Sequence, residues 1–78
     1  MTFIYYNKRV RWYILKNKNM KMARIELDLS QEELAKKIGV TRQTINMIEI
    51  GNYNPSLNLC IAICKTLNKT LNNLFCED

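Results

Sequence analysis

Within residues 41–55, TRQTINMIEIGNYNP, the side chains with the most specific chemistry are Arg42, Gln43 and Asn46. Arg carries a planar fork of donors, and Gln and Asn each set a donor beside an acceptor. Groups of this kind make paired hydrogen bonds to flat partners, Arg to O6 and N7 of guanine, Gln or Asn to N6 and N7 of adenine. At helical spacing Arg42, Gln43, Asn46, Met47 and Ile50 fall around one side, while Ile45 and Ile48 fall on the other. Met47 and Ile50 add apolar surface of the sort that touches a thymine methyl. The pattern is a helix held down by isoleucines that turns an edge-reading face outward.

Such a face needs elements to aim it. Thr41 has the chemistry of an N-cap for this helix, Gly51 ends it, and Asn54-Pro55 forces an extended step beyond. Before it, Ser30-Gln31-Glu32-Glu33 spells a capping box for a helix whose inner side is Leu34, Ala35 and Ile38. Gly39 stands where that helix should stop, because glycine accepts the left-handed conformation. Upstream, Met22, Ile25 and Leu29 recur at three and four residues, predicting a first helix from about Lys18 to near Asp28 with those residues inward. Downstream, Ser56 caps a fourth helix through Leu67 that is apolar nearly all round, which predicts burial in a core and against a partner. Thr70 opens a short fifth helix ending at Leu74-Phe75.

Two short helices joined by a glycine turn, the second polar on its outer face, describe a helix-turn-helix. In that arrangement the second helix enters the major groove of DNA by its N-terminal residues. The segment LSQEELAKKIGVTRQTINMIEIGNYNPSL closely resembles the Cro and phage-repressor class of regulators, the xenobiotic-response-element-like group in its compact bacterial form. The likeness spans roughly Met20 to Phe75, with the spacing of Gln31, Ala35, Gly39, Ile45, Glu49 and Gly51 intact.

The resemblance implies an all-α bundle of five short helices, lambda-repressor-like, that binds a near-palindromic operator in double-stranded DNA as a homodimer and represses transcription. By position it implies that Arg42, Gln43, Asn46 and Met47 face the bases. Gln31, Thr41, Thr44, Asn52 and Tyr53 would lie near the sugar-phosphate backbone. Arg24 and Glu49 match a structural ion pair of such proteins and are left out of the binding set. There are departures: residues 72 and 73 are Asn where similar proteins often carry acids, so a weaker fifth helix is expected. Met47 and Ile50 are more apolar than is usual on a reading face. A second reading keeps the fold and makes it a protein-interaction module, such as an antitoxin holding its partner through the apolar fourth helix.

The totals agree with one small domain. At 78 residues the chain buries only ~60% of its unfolded surface, so its core must be economical. The net charge of +5 comes wholly from residues 1–24, which carry seven bases and no acid, whereas the remainder is slightly acidic. A basic balance favours polyanions. Residues 1–16, MTFIYYNKRVRWYILK, differ from the rest and form an N-terminal extension to a domain over 17–78. Two readings of it stay open. The alternation of Val10, Trp12 and Ile14 with Arg9, Arg11 and Tyr13 fits a short β-hairpin turning at Asn7-Lys8. It also fits a tail or arm, with a natural start near Met20 or Met22.

Three Cys and no His exclude the familiar zinc patterns, and buried thiols of a cytosolic protein are the expectation. No His, acid cluster or glycine-rich phosphate loop suggests an enzyme. No cofactor, metal or small-molecule ligand is expected, and no apolar run has the length of a membrane span. The expected location is the cytoplasm.

Overall fold

A computed structural model describes residues 17–75. Five helices follow in order: α1 (Lys18–Glu26), α2 (Gln31–Ile38), α3 (Arg42–Glu49), α4 (Leu57–Leu67) and α5 (Leu71–Phe75). There is no strand among the described residues. The hairpin or arm expected over 1–16 lies outside them. α2 packs on α3 and α4, α1 on α3 and α5, and α4 on α5. No helix among the described residues is long and apolar enough to cross a membrane.

Capping explains where the helices begin. The Ser30 hydroxyl accepts from the Glu33 N–H at 3.0 Å, and the Glu33 carboxylate accepts from the Ser30 N–H at 2.8 Å. That main-chain bond, and then hydrogen bonding from the Ser30 hydroxyl to the carboxylate, holds the Glu33 carboxyl below its ordinary pKa. The box is therefore complete at neutral pH and opens in acid, as pH falls through this lowered value. Thr41 and Ser56 cap α3 and α4 by accepting from Thr44 and Leu59 N–H groups, each at 3.1 Å. The fifth helix is better closed than its composition led us to expect. Thr70 Oγ1 accepts from the Asn73 N–H at 3.1 Å and Asn73 Oδ1 accepts from the Thr70 N–H at 3.2 Å, so an amide does the work of the missing acid.

Around these starts closes one core of Met20, Ala23, Leu34, Ala35, Ile45, Ile48, Ile63, Cys64, Leu67 and Leu74, with Leu29, Ile38, Val40, Leu59 and Phe75 against its edge. The first helix corrects the expected stripe. Met22 and Ile25 face out, 60% and 53% exposed, and the inner face is Met20, Ala23 and Arg24. An apolar count overlooks this register because one of the inward positions is an arginine, whose charge is matched inside.

Cys60 and Cys64 are free thiols on α4. Burial, and to a lesser degree the neighbouring Cys64, pushes the Cys60 thiol up to about 11. Since only the thiolate reacts, Cys60 in the folded protein should alkylate with iodoacetamide at pH 8 roughly a hundredfold more slowly than in denaturant. Peptide mapping after a timed pulse measures this, and equal rates in both states would contradict it.

Candidate nucleic-acid interface

Two helices and the joint between them make the candidate interface. α2 ends on Gly39 at φ +94°, where the Gly39 and Val40 N–H groups both donate to the Ala35 carbonyl, at 2.8 and 3.0 Å. That left-handed turn sends the chain back across α2 as α3. An added Cβ at Gly39 would have open space around it, so the requirement for glycine is conformational. α3 then buries Ile45, Ile48 and Glu49. Its far end is closed by Gly51 at φ +86°. The Asn17 N–H donates to the Glu49 carbonyl at 2.9 Å, tying the start of α1 to that end.

Glu49 is a charge in the core, only 5% exposed. Its carboxylate accepts from Arg24 Nε at 2.7 Å and Arg24 Nη2 at 3.1 Å, the forked geometry in which such pairs are strongest. Arg24 Nη1 donates to the Leu29 carbonyl at 2.8 Å. The ion pair expected from the resemblance is thus in place, and it locks α1 to α3. Gln31, at the start of α2, adds a third donor: its Nε2 reaches Glu49 Oε1 at 3.0 Å and Asn46 Oδ1 at 3.2 Å, while its Oε1 accepts from Arg42 Nη1 at 3.3 Å.

The structure gathers the proposed reading residues on one side of α3. Arg42 and Gln43 are exposed in its first turn. Asn46 and Met47 are half-buried one turn on. Thr41 is exposed and Thr44 half-buried at the same end, their hydroxyls 3.0 Å apart. Asn52 and Tyr53 are exposed in the connection after α3, away from that first turn. The link from Gln31 to Asn46, Glu49 and Arg42 was not foreseen. Its partners stand 11 to 18 residues away, and no local pattern joins them.

The family model described as "Helix-turn-helix" matches residues 20–74, from within α1 to within α5. The chain belongs to the helix-turn-helix family. Among relatives of this helix-turn-helix chain is MJ0272 of Methanocaldococcus jannaschii, described as an uncharacterized HTH-type transcriptional regulator. It is 48% identical over 61 residues, which is 78% of this chain and 91% of the relative. YgzD of Bacillus subtilis, described in the same words, is 44% identical over 61 residues, again 78% of this chain and 91% of that protein. Among solved structures, the restriction-modification controller protein C.AhdI from Aeromonas hydrophila superposes with a TM-score of 0.71 at 29% identity, covering 76% of this chain and 89% of that one. The five-helix, lambda-repressor-like architecture of the helix-turn-helix family is therefore common to this chain and its neighbours.

Proposed function

We propose that this helix-turn-helix protein is a sequence-specific regulator of transcription that binds double-stranded DNA as a homodimer and represses from a near-palindromic operator. One observation carries the reading. α3 sinks Ile45, Ile48 and Glu49 into the core while Arg42 and Gln43 stand fully out at its N-terminal turn. Both are exposed there, although Arg42 also touches Gln31, and that is the end from which a helix in the major groove meets base edges. Arg42, Gln43, Asn46 and Met47 are assigned to the bases. Thr41, Thr44, Asn52, Tyr53 and the main chain at Gln31 are assigned to the sugar-phosphate backbone.

Dimerisation is supported by α4, which buries Ile63, Cys64 and Leu67 but leaves Leu57 64% and Ile61 36% exposed. Two copies on one duplex would place their half-site centres about one helical turn, ~34 Å, apart. The same exposed face also suits a partner protein, which is the antitoxin-like alternative. Salt dependence separates the two, because displacement of counterions from phosphates makes DNA affinity fall steeply as salt rises.

Selection of bound sites from a random duplex pool at two salt concentrations tests the proposal. An enriched near-palindrome, bound less well at the higher salt, supports it. A folded protein that enriches nothing refutes it. With the operator known, Gln43→Ala should weaken binding to it by ~1–3 kcal/mol and relax the choice of base at one position. A uniform loss on every sequence would deny Gln43 a base-reading role.

A further inference from the structure

At the first position of α2, Gln31 is placed as a surface residue, yet its side chain is committed inward. The bond to Glu49 decides which end of its amide is which. An ionised carboxylate only accepts, and Glu49 is the carboxylate of the ion pair with Arg24. The group 3.0 Å from Glu49 Oε1 must therefore be the Gln31 NH2. That nitrogen has two hydrogens, and both are engaged, the second with Asn46 Oδ1 at 3.2 Å. Neither is left for a phosphate. The carbonyl end of Gln31 faces Arg42 Nη1.

The orientation passes on to Asn46. With its Oδ1 turned to Gln31, the exposed part of the Asn46 amide is its NH2. We propose that Gln31 is a positioning residue that fixes the Asn46 amide so that it presents donors, and no acceptor, to the groove. The inference rests on the base-reading role given to α3 above. It changes the expected target. Paired recognition of adenine needs a donor and an acceptor from one amide, whereas an NH2 alone is best matched where no donor stands beside the acceptor: guanine O6 and N7, or thymine O4, rather than adenine N7 with its neighbouring N6 donor. The base opposite Asn46 is then guanine or thymine. Arg42, with one of its five donors on Gln31, keeps the others for guanine.

Site selection with the wild-type chain, Asn46→Ala and Gln31→Met tests this, with the salt slope measured for each. Met keeps the length of Gln and removes every one of its hydrogen bonds. Gln31→Ala serves as a second truncation, and melting curves confirm that each variant is folded at the assay temperature. Asn46→Ala should erase the preference at one position, where the wild type selects guanine or thymine. Freed of Gln31, the Asn46 amide can rotate, so Gln31→Met should raise adenine at that position roughly tenfold against the original base, with the salt slope unchanged.

Three results would overturn the inference while leaving the DNA-binding proposal intact. One is adenine selected by the wild type opposite Asn46. Another is an Asn46→Ala or Gln31→Met profile equal to the wild type's. The third is a Gln31→Met loss that is uniform across sequences, the signature of a phosphate contact. Failure of the wild type to enrich any sequence removes both proposals together.

Discussion

Glu49→Ala is expected to destabilise the domain by about 3–5 kcal/mol, because removing one partner of a buried ion pair strands the other charge. Here the stranded group is Arg24, 8% exposed, with only the Leu29 carbonyl left of its three contacts. For a domain whose whole stability is on the order of 5–15 kcal/mol, that is a large share. Urea unfolding measures it as a lower midpoint at unchanged slope. A loss below about 1 kcal/mol would mean that water reaches Arg24 and the pair is not buried in solution. The double change Arg24→Met with Glu49→Leu should recover much of the loss, since well-packed apolar replacements of buried pairs are often neutral. It would also remove the anchor of the Gln31 amide. Stability restored together with altered base choice would therefore separate what the pair does for the fold from what it does for reading.

Ile45→Ala should cost ~2–5 kcal/mol, the range for a fully buried isoleucine whose cavity relaxes only in part. Ile45 is 0% exposed and lies on the buried side of α3, beneath the proposed reading face. At 4–8 °C per kcal/mol for a domain of this size, the melting temperature should drop by roughly 10 °C or more. The contrast with Gln43→Ala makes the result informative. One substitution should lower the melting temperature and leave base choice intact in whatever protein stays folded. The other should do the reverse. If Ile45→Ala altered base choice as much as Gln43→Ala, the division of α3 into a holding side and a reading side would be wrong.

Local chemistry made much of the bundle legible before any coordinates. Ser30, Thr41, Ser56 and Thr70 announce helix starts because a hydroxyl three residues before an N–H needs no information from afar. Gly39 and Gly51 announce ends for a similar reason, since positive φ is a property of one residue. The joint of the helix-turn-helix and the two isoleucines beneath it follow from those marks. Apolar spacing misplaces the inner face of the first helix, where a distant partner decides the register. Arg24 faces inward only because Glu49, 25 residues on, is there to meet it, and a count of apolar spacing then selects Met22 and Ile25. The candidate interface divides along the same line. Exposure of Arg42 and Gln43 follows from helix periodicity alone. The tie from Gln31 to Asn46 exists because the packing of α2 on α3 brings their side chains together.

That tie has a consequence for how such a protein could acquire new targets. Gln43 makes no side-chain hydrogen bond among the described residues, so under the proposed base-reading role its identity can drift in a single step, with each substitute tried directly against the genome. Asn46 and Arg42 share a tether. A change at either leaves Gln31 with a donor or an acceptor unmatched, and a change at Gln31 disturbs both. If the proposed reading holds, divergence of operators within this lineage should therefore run at two tempos, one letter wandering freely and the other two moving as a linked pair whenever position 31 moves.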